Sequence, residues 1–164
     1  MKTLRIAVSF LLVLLATAAT AESDSQKSFA ALKTLAGSWT GKGSQGQPVQ
    51  VSYRVTSGGS ALMSEIQGEK EDMVSMFHPD GDRLLMTHYC EAGNQPRMVG
   101  AVSPDGKTIT FNFLDATNLT AAQPGHMGHL VVTLVDANHH TEAWEFTNKD
   151  GSKMHEVLDL QRKN

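Results

Sequence analysis

His88-Tyr-Cys90 places an imidazole and a thiol two residues apart. On a strand such residues point the same way, roughly 7 Å apart. Both groups can bind zinc. Spacing fixes no further ligand, although His126 or His129 could supply a third, so no metal site is assigned. The competing reading is a buried cysteine beside a hydrogen-bonded histidine, since free cysteine is among the most buried residue types. The run continues through Asn94, Gln95 and Arg97. The two amides can donate and accept, and the guanidinium offers a planar fork suited to a carboxylate or phosphate. The same groups could instead satisfy the backbone of a wide loop.

His155 stands near the end of the chain, in Met154-His-Glu-Val-Leu-Asp-Leu-Gln-Arg162. On an inner strand face it could ligate haem or donate to a bound polar group; the alternative is a half-exposed strand histidine. His139-His140 falls in a turn signal and reads as solvated. Met73, Met76, Met86 and Met98 suit an adaptable core or cavity wall. No Gly-x-Ser-x-Gly and no phosphate-binding glycine loop occurs, so no catalytic residue is assigned. The candidate ligand contacts are His88, Cys90, Asn94, Arg97, His126 and His155.

The chain that must position these groups has 164 residues, 40% hydrophobic and 19% charged. That composition excludes a disordered chain, a collagen-like repeat and a multi-pass membrane protein. Lys2 and Arg5, the apolar run from Ile6 to Ala16, and Ala19-Thr-Ala21 form a secretory signal peptide over 1–21. The apolar run is too short for a membrane span of about 20 residues, so no integral membrane segment remains after cleavage. The barrel domain then covers 22–164, in the periplasm or outside the cell. Without Lys2 and Arg5, 12 Lys and Arg face 17 Asp and Glu, a formal charge of −5. The absence of any basic run makes nucleic acid an unsuitable partner. Cys90 is the sole cysteine, so no internal disulfide forms and the apolar core must hold the domain together.

Residues 22–25 read as a loose polar lead. Phe29, Leu32 and Leu35 recur at helical spacing, with Ser25 or Ser28 as cap and Gly37 as stop. Turn signals follow every ten to twelve residues, including Pro79-Asp-Gly81, Pro104-Asp-Gly106 and Lys149-Asp-Gly151. Ten strand-like runs lie between them: 38–43, 48–56, 61–68, 72–78, 83–91, 97–103, 108–114, 128–135, 141–147 and 152–162. Short connections imply antiparallel neighbours. Closure removes exposed edges, so the expected fold is an all-β, up-and-down antiparallel barrel with a short N-terminal helix. Val49, Val51, Tyr53 and Val55 share one face, as do Ile109, Phe111 and Phe113, while Trp144 pairs with Phe146. In 84–90 both faces are partly apolar and the inward one is undecided. Connections after strands one, three, five, seven and nine share an end. The mouth is expected there, beside Asn94, Gln95, Arg97, His126 and Met127.

Four stretches carry a resemblance. Leu35-Ala-Gly-Ser-Trp-Thr-Gly-Lys-Gly43 is similar to the Leu-x-Gly-x-Trp-x-Gly opening of calycin-like barrels, nitrobindin among them. His78-Pro-Asp-Gly81 and the Thr87 to Met98 segment resemble an uncharacterised group of exported bacterial proteins with a lipocalin- or nitrobindin-like barrel. The last strand, with His155, Leu158, Leu160 and Arg162, is similar to that of nitrobindin. The resemblance implies a helix that closes one end, an internal pocket, and haem held by His155.

The leading expectation is an exported barrel that binds a small, partly apolar molecule in its interior. The alternatives are a small-molecule enzyme using His88, Cys90 or Arg97, and an interaction protein with a filled core. Oligomeric state stays open.

Overall fold

A computed structural model describes residues 23–68 and 72–163. The expected signal peptide lies outside the described residues. The helix α1 (Asp24–Lys33) starts earlier than its apolar spacing suggests. Ser23 caps it: the Ser23 hydroxyl accepts from the Gln26 amide at 3.3 Å, and the Gln26 side chain accepts from the Ser23 amide at 3.1 Å. This reciprocal box satisfies two otherwise orphaned donors. Residues 23–25 are therefore cap and first turn, not a loose lead. Ser25 and Ser28 are buried, and neither caps the helix.

Ten strands follow: β1 (Gly37–Lys42), β2 (Pro48–Thr56), β3 (Ala61–Gln67), β4 (Asp72–Asp80), β5 (Arg83–Tyr89), β6 (Gln95–Val102), β7 (Thr108–Thr117), β8 (His126–Asp136), β9 (His139–Thr147) and β10 (Lys153–Arg162). Each pairs antiparallel with its chain neighbour. Pairs from Trp39↔Arg162 to Lys42↔Asp159 join β1 to β10 and close the barrel. Closure leaves no sheet edge to attract another strand. Among the described residues, no helix is long and apolar enough to cross a membrane.

The alternation places Val49, Val51, Tyr53, Ile109, Phe111 and Trp144 inside, all buried. On β5 the inward set is Leu84, Met86 and His88, each fully buried. Pattern could not decide this face because outward-facing Leu85 is itself only 7% exposed. Phe113 departs from its expected burial, and Val55 is exposed as well. Phe113 is left out because β7 pairs with β8 only over Thr108–Asn112, beyond which the two strands part.

The end with the tight turns is closed. The Ser25 hydroxyl donates to the Gly81 carbonyl at 2.8 Å, and Phe29, Leu32 and Leu35 join the barrel core. Trp39 Nε1 donates to Leu35 O at 2.7 Å. Arg162 lies over the Trp39 ring at 4.2 Å and donates to Thr34 O, Ala36 O and Ala137 O. Two glycines of the opening motif have steric causes. Gly37 sits at φ +128°, and a Cβ at Gly41 would lie 1.7 Å from Asp159 O. Trp39 of the first strand and Arg162 of the last thus meet here and lock helix to barrel.

Candidate ligand-binding site in the barrel interior

At the opposite end the barrel is open. A cavity of about 1240 Å³, counted to its mouth, reaches inward from the connections after β1, β3 and β5, with Met127 at the start of β8 and residues of β9 and β10 beside them. This is the end that strand parity predicted. Its walls include Ile66, Met73, Met127, Phe146 and Leu158, together with buried Trp144. Mostly apolar walls with a few placed polar groups are the usual make-up of a small-molecule site.

The polar groups form two facing sets. Across β2, β3, β4 and β5 the register pairs Tyr53 with Ser64, Ser64 with Ser75, and Ser75 with His88. All four are buried. The inward face of β9 supplies His140, Glu142 and Trp144. Glu142 gathers three donors: the Tyr53 hydroxyl, Trp144 Nε1 at 2.9 Å and His140 Nε2 at 3.4 Å. Such bonds offset much of the cost of burying a carboxylate. Burial first, then the charge of Glu142 and the hydrogen bond to it, push the Tyr53 hydroxyl well above its ordinary pKa. Tyr53 therefore stays protonated and donates.

His88 is held between Ser75 Oγ, 2.9 Å from its Nδ1, and the Trp144 ring, whose centroid is 4.9 Å away. Burial lowers its pKa to about 4, against the opposing pull of Glu142. The ring is neutral at physiological pH. His88 Nε2 and His140 Nδ1 are buried with no hydrogen-bond partner among the described residues.

The six residues expected to contact ligand do not converge. His88 is inside. Cys90 lies at the rim, half-buried, in the turn after β5. Its backbone amide donates to Asn94 O at 3.1 Å. Asn94 is buried and donates from Nδ2 to Gly125 O at 2.7 Å, tying down the β7–β8 connection. Arg97 faces outward and grips Asp115 through Nε, at 2.6 Å, and Nη2. Its fork is occupied there, and the Asp115 carboxyl is held below its usual range by that hydrogen bond first. His126 packs on Phe113 with centroids 4.4 Å apart and bonds Pro124 O through Nδ1 at 2.8 Å.

His155 reaches the rim, but its side chain is 67% exposed and turns along the outer wall, 4.0 Å from Glu145. Strand alternation gives the inward positions of β10 to Glu156, Leu158 and Leu160. His155 borders the cavity only at its rim and is largely exposed, so it offers haem no enclosed axial position. Among the described residues, no group of three or more His, Cys, Asp or Glu could hold a metal ion.

The expectation that His139-His140 is a solvated turn is overturned. β9 begins at His139, so His140 is its first inward residue and is fully buried against Trp39, at 4.3 Å between ring centroids. Starting that strand at 141 hid the alternation His140, Glu142, Trp144, Phe146. Trp144 is accordingly a cavity residue that sequence reading missed, and Tyr53, Ser64, Ser75, His140 and Glu142 belong to the buried polar cluster joined to it.

The role of Asn94 leads to a prediction. Asn94→Ala removes the tie to Gly125 and costs about 1 kcal/mol. Limited proteolysis should cut within 118–125 several-fold faster, with an unchanged far-UV spectrum. Equal cleavage rates would refute the tie.

No protein-family model and no curated protein matches the chain. Solved structures do. The crystal structure of Rv2717c from M. tuberculosis is similar at a TM-score of 0.57 and 17% identity, over 84% of this chain and 98% of that one. EF1p2_mFAP2b bound to DFHBI has a TM-score of 0.41 and 12% identity, over 82% of this chain and 98% of that one. The likeness to Rv2717c is one of fold. The chain is a closed ten-stranded antiparallel barrel with an open cavity at one end and a buried polar cluster inside.

Proposed function

We propose that the protein is an exported barrel that binds a small, partly apolar molecule in its interior. The observation that carries this reading is the open cavity of about 1240 Å³ walled by methionine and aromatic side chains. Against Trp144, which lines it, packs His88, whose Nε2 has no hydrogen-bond partner among the described residues. Unpaired buried polar groups are costly, and a bound polar group could relieve that cost. The enzyme alternative draws no support from geometry, since Arg97 faces outward in the grip of Asp115 while His88 faces the interior.

Native mass spectrometry of protein purified from its own host should reveal an adduct, and Nile red should bind and be displaced by host extract. Met127→Trp, which fills the cavity, should weaken Nile red binding by tenfold or more. A bare mass together with no dye uptake would overturn the proposal. For export, the mature chain should begin at Glu22; a retained leader would refute that part.

A further inference from the structure

We infer that the ligand is a lipophilic cation, an apolar body ending in an ammonium-like group. This rests on the interior-binding reading above and adds the charge of the guest. Among the described residues lining the cavity, Glu91 and Glu156 supply carboxyl groups, His155 stands at the rim, and no Lys or Arg is present. Glu156 is fixed in place. Its Oε1 accepts from the Ser44 amide and from Gln47 Nε2, each at 2.8 Å, so the β1–β2 connection holds a carboxylate at the mouth.

A further carboxyl group lies behind the wall. Trp144 lines the cavity while its Nε1–H donates to Glu142 Oε2 at 2.9 Å. A carboxylate on the indole N–H polarises the ring toward its π-face, and indole is already the best aromatic partner for a cation. Met73, Met127 and Phe146 can cover an apolar body. Two cations of the flanking strands are committed elsewhere. Lys153 bonds Glu145 at 2.9 Å on the outer wall, and Arg162 sits at the closed end over Trp39. An anionic head group would lose its hydration inside without meeting a positive partner, which is strongly unfavourable.

The test uses three probes with one tail: dodecyltrimethylammonium, dodecanol and dodecanoate, titrated below micelle formation and followed by tryptophan quenching. The trimethylammonium should bind on the order of tenfold tighter than the alcohol, and the carboxylate weakest. Added salt should weaken the cation selectively. Glu91→Gln with Glu156→Gln should cut the advantage of the cation over the alcohol several-fold. Dodecanoate binding as tightly as the trimethylammonium would overturn the inference while leaving interior binding intact. Failure of all three probes, with no Nile red uptake, would overturn interior binding and this inference with it.

Discussion

Glu142→Ala is expected to lower the free energy of unfolding by about 3–5 kcal/mol, the usual scale for stripping one partner from a buried charged network. Glu142 is 1% exposed and is the common acceptor for Tyr53, Trp144 and His140. Its loss leaves three donors in a region that water does not reach, each with its own desolvation cost. Glu142→Gln keeps an acceptor oxygen, so it should cost less. Tyr53→Phe removes one donor and leaves the others paired, so it should be milder still. Urea denaturation with a Glu142/Tyr53 double-mutant cycle separates the pair from the rest of the network. A cost below about 1 kcal/mol for Glu142→Ala would mean that the cluster is hydrated or rearranged in solution.

Stability should also fall as the solution is acidified from pH 7 toward pH 4, and His88 should account for a large share. Its folded pKa is about 4 because burial penalises the imidazolium. The unfolded chain titrates near 6.5. Between these values the unfolded state binds the extra proton, so stability rises with pH across the window. The contribution is fully present above the unfolded pKa and lost as pH falls to the folded one. For a group this buried, the whole window is worth on the order of 3 kcal/mol. His88→Gln has no proton to take up and should show a flatter profile over pH 4 to 6.5, although it starts from lower stability. The difference between the two urea-derived profiles isolates His88 from the carboxylates, which titrate in both proteins. Parallel profiles would show that the ring is accessible and titrates normally when folded.

His155 and His140 show how far a single chain can be read. His155 was a candidate because a last-strand histidine could face inward, and the register with β9 sets it opposite outward-facing Glu145. His140 was dismissed because two adjacent histidines beside Ala-Asn look like a turn. One strand starting two residues earlier reverses that assignment, since side chains alternate with a period of two. Helix and strand existence survived such shifts, while the parity of individual residues did not.

The sequence by itself determined the helix, the ten strands, their antiparallel order and the end at which the barrel opens. Those follow from local periodicity, turn residues and connection length, which act over about ten residues. Only the tertiary structure decided which polar residues meet. Tyr53, Ser64, Ser75 and His88 lie on four different strands and become one belt through cross-strand register. Closure of the sheet then sets Glu142 of β9 against Tyr53 of β2. Hydrogen bonds and burial act through space at a few ångströms, and no local pattern encodes a contact between residues 89 positions apart.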